Sequence, residues 1–376
     1  MPASTQARRL SLADRLAGWR NRLVASARFQ RRAAALPFLR GQARRDGERI
    51  FDILAGFVQA QVLLACVELG LLEQLRAGPM DPADMARDTG IPVARMEDLC
   101  RAAVALGLME TSVSGFRLGR LGAALPAVPG LVPMIRHNAL FYRDLADPVA
   151  LLRGAAETEL ARFWPYVMGQ AGDIPPETAA AYSELMAASQ VLVADETLRL
   201  APFGRVRCVM DVGGGTGAFL CAAGARHPHL RLRLFDLPPV AAQAHARFAQ
   251  AGLSARAEVV GGSFRDNLPE GADAISLVRV LYDHDDVTVR ALLARAHEAL
   301  PPGGLLIVSE PMSGGARPTR AGDGYFAFYT MAMGTGQVRS AERIGALLAE
   351  AGFISIRSMP GGRPFITSVV LARRAG

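Results

Sequence analysis

The sequence predicts an α/β protein in which a mostly parallel, doubly wound sheet of seven strands follows a helical domain. Three observations carry the prediction. An apolar run holding Asp211 (Val209-Met-Asp-Val212) leads into glycines at 213, 214, 215 and 217. Beyond it, short apolar runs alternate with helical spacing to the C-terminus, and ahead of it residues 51–200 show almost only helical spacing.

With 376 residues, 51% of them hydrophobic, the chain buries a full core and has room for two domains. No uninterrupted apolar run reaches the roughly 18 residues of a membrane span, and the arginine-rich start lacks the apolar centre of a secretory signal. A cytoplasmic protein is expected. Cys66, Cys100, Cys208 and Cys221 lack CxxC spacing, so reduced thiols and no metal are expected.

Four segments follow: an arginine-rich arm (1–50), a helical pairing domain (51–125), a helical linker and pocket region (126–200) and the α/β domain (201–376). The chain has no lysine. Residues 1–50 hold 12 of its 42 arginines against three acids, Asp14, Asp46 and Glu48, a balance of +9, whereas the remainder sets 30 arginines against 32 acids. Ser11-Leu-Ala-Asp14 is patterned as a helix start, with Leu12, Leu16, Trp19 and Leu23 at helical spacing among Arg15, Arg20, Arg22, Arg28, Arg31 and Arg32. Such a helix suits an anionic membrane surface or a partner subunit equally. It lacks the glycine-, serine- or aromatic-rich interleaving of nucleic-acid-binding tails.

Phe51 to Leu75 reads as helix, Asp81-Pro-Ala-Asp84 starts a second, and Thr89-Gly-Ile-Pro92 is a turn. Val93 to Leu108 reads as a third helix, and Gly107–Thr111 with Gly115–Leu118 as a hairpin. This is the outline of a winged helix-turn-helix. Its candidate recognition helix mixes Arg95 and Arg101 with Glu97 and Asp98, which suits duplex phosphate poorly, so subunit pairing is expected rather than DNA binding. From 126 to 200 the spacing is helical again. Phe141, Tyr142, Phe163, Trp164, Tyr166 and Met168 precede a break at Pro175-Pro176, and Ala179 to Leu200 forms a long helix carrying Met186, Ser189 and Asp195. Part of this segment is expected to line an apolar pocket.

Strands are expected at Val206–Val212, Arg231–Leu237, Ala257–Gly261, Ala272–Leu281 and Gly304–Glu310, followed by a hairpin of Ser355–Met359 and Pro364–Leu371 that adds an antiparallel final strand. The glycines sit where an open sheet cradles an adenosine-containing ligand, and Asp236 closes the next strand where an acid accepts ribose hydroxyls. A nicotinamide cofactor fits these features as well, since Gly213, Gly215 and Ala218 satisfy GxGxxG/A.

Three later segments separate the alternatives. They are Gly261-Gly-Ser-Phe264 after the third strand, Arg279-Val-Leu-Tyr-Asp-His-Asp-Asp286 after the fourth, and Leu300-Pro-Pro-Gly-Gly-Leu-Leu-Ile-Val-Ser-Glu310. With the glycine loop and the helical front half, these resemble the S-adenosylmethionine-dependent O-methyltransferases of the plant caffeate/hydroxyindole type and their bacterial relatives, over roughly residues 50–376. The resemblance implies a Rossmann-like class I methyltransferase domain behind a winged-helix-like dimerisation domain, a homodimer, S-adenosyl-L-methionine as donor and S-adenosyl-L-homocysteine as product. Val278–Asp286 and Gly324-Tyr-Phe-Ala-Phe-Tyr-Thr-Met-Ala-Met-Gly334 resemble the carotenoid-hydroxyl branch found in purple photosynthetic bacteria. That implies methyl transfer to a tertiary hydroxyl of an acyclic polyene delivered from a membrane, with peripheral contact at the photosynthetic membrane.

The chain departs from the family pattern in its catalytic half. Relatives place a general-base histidine where this chain has Tyr282, within L-H-D-W, and a supporting glutamate near Val338; here His284 stands two residues on, and Glu310 is the acid left nearby. Neutral imidazole suits a base at neutral pH, whereas a tyrosine near 10 suits a relay. His284 is therefore expected to accept the proton, directly or through Tyr282; the alternative is a His284 at the surface or behind the reacting groups and a Tyr282 that only lines the pocket. The resemblance further implies that Asp211, Gly213 and Gly215 meet the amino-acid part of the donor and Asp236 its ribose. Leu237, Ser263 and Phe264 would border the adenine, and Arg279 would reach the carboxylate or organise its loop. Tyr325, Phe328, Tyr329 and Met186 are expected on the acceptor wall. The rival functions are a phenol or polyketide O-methyltransferase, a nicotinamide-dependent reductase and a winged-helix regulator that binds DNA.

Overall fold

The fold is taken from a computed structural model that describes residues 11–163, 189–359 and 361–376. Two compact units divide between Arg120 and Leu121 and are described in turn.

The first unit begins with α1 (Leu12–Val24), where Ser11 and Asp14 form the reciprocal capping box that their spacing predicts. After α2 (Ala27–Ala35) comes α3 (Pro37–Glu68), opened by a proline at its first position. This helix is continuous through 50 and 51, where the sequence suggests a segment boundary, and its charged half carries Arg44–Glu48 and Gln42–Asp46 contacts at i,i+4. Although no uninterrupted apolar run reaches roughly 18 residues, α3 is long and apolar enough, by length and composition, to cross a membrane. It exposes Ile50, Phe51, Ile53, Leu54, Phe57 and Val58, an apolar face in the region where subunit pairing is expected. Next follow α4 (Pro82–Thr89), α5 (Val93–Ala105) and the antiparallel pair β1 (Met109–Ser112) and β2 (Gly115–Leu118), the predicted winged outline. Leu71, Leu75, Met85, Met96, Cys100 and Met109 form its core. Burial pushes the Cys66 thiol up to about 12 and that of Cys100 to about 11, so neither is reactive at neutral pH.

The second unit opens with α6 (Leu131–Asp144) and, after helical residues 189–200, builds the sheet. The strands are β3 (Cys208–Val212), β4 (Arg231–Asp236), β5 (Ala257–Gly261), β6 (Ala274–Val278), β7 (Leu305–Glu310), β8 (Phe353–Met359) and β9 (Ser368–Arg374). Their spatial order is β5-β4-β3-β6-β7-β9-β8, parallel from β5 to β7, with β9 running antiparallel between β7 and β8. Along β3, Met210 and Val212 join the core on one face of the sheet while Val209 joins the core on the other, as expected of a strand buried on both sides. The helices that matter for the site are α7 (Ala218–Arg226), α8 (Asp286–Ala299), α9 (Ala327–Met333) and α10 (Ala341–Glu350).

One strand ends earlier than the sequence suggests. The apolar run Ala272–Leu281 predicts strand throughout, but β6 stops at Val278 because Arg279 adopts φ 60°, which breaks the ladder and starts a tight turn at Leu281–Asp283. Trp164, Tyr166, Met168, Pro175, Pro176 and Met186 lie outside the described residues.

Candidate functional site

The carboxyl ends of β3 and β4 form a cradle. Gly213 (φ 70°) and Gly215 (φ 58°) adopt left-handed backbone, which lets the chain reverse from β3 into α7. Asp236 clamps the loop: its Oδ2 accepts the Gly215 N–H at 2.7 Å and its Oδ1 the Leu237 N–H at 2.7 Å. Burial pushes the Asp236 carboxyl up, against the pull of these two donors. Beneath the loop, Asp211 accepts the Ser276 hydroxyl at 2.6 Å, while its Oδ2 is buried without a hydrogen-bond partner among the described residues. Burial pushes the Asp211 carboxyl up to about 7. Among the described residues, an added Cβ at Gly215 would meet no atom within 4 Å. An orphaned buried carboxylate oxygen beneath an open glycine loop fits the ammonium and backbone-hugging part of an amino-acid-bearing nucleoside.

The Gly262 N–H donates to the Asp236 carbonyl at 2.8 Å, which brings Ser263 and Phe264 alongside Asp236 and Leu237. The Ser263 Oγ accepts the Arg265 N–H at 3.1 Å, and Phe264 stands edge-on to the His284 ring, with centroids 5.1 Å apart. The sequence-predicted adenine residues are thus gathered at one end of the sheet. His284 joins them there; burial lowers its imidazole to about 4, so it is neutral.

The 279–286 turn is held from both sides. Glu310 Oε1 accepts the Leu281 N–H at 2.9 Å, and burial pushes its carboxyl up to about 8. Buried Arg339 donates to the Leu281 carbonyl (2.8 Å), the His284 carbonyl (2.8 Å) and Asp286 Oδ1 (2.7 Å). The Gln337 N–H donates to the Tyr282 carbonyl at 2.8 Å. Arg279 sends Nη1 to the Ser189 hydroxyl at 2.7 Å and pairs with the buried Tyr282 hydroxyl. Beside them burial pushes the Asp283 carboxyl up to about 7, and its Oδ1 has no hydrogen-bond partner among the described residues. The structure therefore groups Tyr282 with Arg279 and Asp283, and His284 with Phe264.

On the facing side, α9 and the turn before it meet α6. Tyr325 donates to Asn138 Oδ1 at 2.8 Å, and the Tyr329 hydroxyl lies 2.7 Å from His137 Nε2. Phe141 packs edge-on against both tyrosines, and Phe328 is half-buried at the rim of this cluster. Burial lowers the His137 imidazole to about 4. The outcome is a buried aromatic cluster with neutral polar groups set into it, on the elements where the sequence places the acceptor wall.

Sequence reasoning gathered most of the cradle but did not single out His137, Asn138, Asp283 or Arg339. His137 and Tyr329 are 192 residues apart, and no local pattern couples them. Arg339 did carry a signal. It stands in Gly336-Gln-Val-Arg-Ser340, the stretch where the sequence shows no acid, and Asp286, one of two consecutive acids in the turn, is its partner.

Comparison with known proteins places this geometry in a family. Residues 142–354 match the family model of the O-methyltransferase domain, and residues 51–125 match that of the O-methyltransferase dimerisation domain. The chain is 55% identical over 355 residues to a demethylspheroidene O-methyltransferase of Cereibacter sphaeroides, covering 94% of each chain. It is 50% identical over 354 residues to the Rhodobacter capsulatus enzyme of that name, covering 94% of this chain and 88% of the relative. Among solved structures, the S-adenosylmethionine-dependent methyltransferase SibL superposes with a TM-score of 0.74 at 26% identity, over 87% of this chain and 99% of that one.

Proposed function

The chain belongs to the O-methyltransferase family, and on that premise we propose that its acceptor is the tertiary hydroxyl of an acyclic carotenoid of the demethylspheroidene type. The protein is an S-adenosylmethionine-dependent O-methyltransferase with a dimerisation domain, and pairs as a homodimer. The observation that carries the acceptor is 55% identity across 94% of both chains. A polyene of this kind dissolves in lipid, so the enzyme works at a membrane face.

The donor, when bound, supplies a methyl group on a sulfonium, which leaves by in-line displacement. In our reading Asp211 and the backbone at Gly213 and Gly215 hold the amino-acid end, and Asp236 accepts the ribose hydroxyls with lone pairs left over from Gly215 and Leu237. Leu237, Ser263 and Phe264 border the adenine, with His284 backing Phe264. Arg279 orders the turn that carries Tyr282. Tyr325, Phe328 and Tyr329 line the acceptor wall, and Met186 belongs to the same proposal. Holding a hydroxyl against the methyl group supplies much of the acceleration. The proton still needs a destination. Burial keeps the Tyr282 phenol protonated, and a phenol can pass a proton to a neighbour that accepts it; the Asp283 carboxyl, near 7, is matched to that task at neutral pH. His284, the acceptor suggested by sequence, is the alternative, and its contact with Phe264 favours the adenine side.

The test is transfer of labelled methyl from S-adenosylmethionine to a panel of hydroxylated carotenoids, phenols and indoles. Label on tertiary carotenoid hydroxyls is the expected result; label confined to phenols or indoles contradicts the proposal.

A further inference from the structure

Helix α1 buries none of its residues, although its sequence is sharply two-faced. At about 100° per residue, Leu12, Leu16, Trp19 and Leu23 fall within an arc of roughly 60°. They are 73%, 60%, 60% and 36% exposed. Arg15 and Arg22 border that arc on one side and Arg20 on the other, roughly 60–90° from its centre, while Asp14 and Asn21 occupy the back. Arginines 28, 31 and 32 follow on α2, and Phe38, at the start of α3, is 97% exposed. An apolar stripe with an aromatic, flanked at its waterline by guanidinium groups, is the geometry of a helix lying in the plane of a bilayer interface.

We infer that α1 is a docking surface for an anionic lipid bilayer, with its stripe among the acyl chains and its arginines at the lipid phosphates. Charge on the page chooses this occupant over a second copy of the chain. Two arms would each bring +9, and the rest of the chain, with 30 arginines against 32 acids, carries no large acidic excess to receive one. The stripe also lies outside the dimerisation match, which begins at residue 51. Guanidinium groups supply bidentate donors to phosphate, which the absence of lysine from the chain makes its sole basic side chain for the purpose. The inference deepens the reading of the acceptor as a lipid-dissolved polyene and rests on it for its purpose, not for its geometry.

The experiment is flotation of the full-length protein with vesicles of phosphatidylcholine alone or mixed with phosphatidylglycerol, at low and high salt. Binding to the anionic vesicles that weakens with salt is expected. Replacing Arg15, Arg20 and Arg22 together by Gln should lower partitioning about a hundredfold. Leu16→Ser with Trp19→Ala should lower it comparably without changing the dimer in analytical ultracentrifugation. Absence of vesicle binding, equal binding to neutral and anionic vesicles, or unchanged binding by the arginine variant would overturn the inference; so would stripe variants that dissociate the dimer, since the stripe would then pair subunits. Turnover of detergent-dispersed acceptor separates the two readings. Its absence alongside intact vesicle binding would sink the carotenoid reading alone, and its presence without vesicle binding would sink the docking surface alone.

Discussion

The Gly215 N–H donates to Asp236 Oδ2 at 2.7 Å, so the acid expected to receive the ribose is also the brace of the glycine loop. Removing it takes away both roles at once. Asp236→Ala should weaken S-adenosylmethionine binding at least a hundredfold in calorimetry, since a hydrogen bond to a charged group is worth about 1.5–3 kcal/mol and two functions are lost. Retained affinity would refute the ribose role.

Asp211 titrates near 7 in the free protein because burial disfavours its charge, and a bound cation would favour that charge. Donor binding should therefore release a proton, most strongly between about pH 6 and 7 and vanishing as pH rises well above 7, where Asp211 is already ionised. Titration calorimetry in buffers of different ionisation enthalpy measures this directly, and Asp211→Asn should abolish it. The sign for stability is the reverse of an ion-paired acid. A carboxyl raised on folding favours the folded state below its unfolded value, about 4, and that contribution is lost as pH rises through 7. The free enzyme should accordingly gain more from its donor at pH 8 than at pH 5, read as the shift in Tm.

If Asp283 takes the proton through Tyr282, kcat rises with pH through about 7 in the wild type. Asp283→Asn should flatten that profile and lower kcat by about 10²–10⁴ with donor affinity intact. His284→Gln should leave the profile in place and change mainly the KM for the donor, as befits a ring packed on Phe264. The opposite pattern would return His284 to the role that its imidazole suggests from sequence.

Arg339 holds the turn through two carbonyls and Asp286. Its guanidinium is buried, so Arg339→Leu leaves the Leu281 and His284 carbonyls without this donor, while Asp286 keeps Arg343, and should cost about 2–4 kcal/mol in unfolding free energy. Arg339→Lys retains charge without the fork; it should remain folded while kcat falls more than donor affinity, a split that a purely structural role would not give.

The sheet and the cradle were legible in the sequence because both are local. Apolar runs of five or six residues mark buried parallel strands, and the glycines with Asp211 and Asp236 lie within 26 residues of one another. The end of β6 was not legible, because Arg279 adopts a backbone conformation that its residue type does not announce. The aromatic cluster proposed as the acceptor wall was partly legible. The tyrosines could be named, but their partners His137 and Asn138 are brought to them only by the packing of α6 on α9. The arm helix was visible from its capping box and stripe, but the continuity of α3 through residue 50 was not, since the charged half of α3 reads alone as solvated chain.

The central claim is that this donor cradle serves a tertiary carotenoid hydroxyl. It is tested most directly by kcat/KM for methyl transfer to an acyclic tertiary-hydroxyl carotenoid against a phenol in the same micelles. A ratio of about a hundred or more in favour of the carotenoid is predicted, as expected of an acceptor wall built for one substrate class. A ratio at or below unity would contradict it.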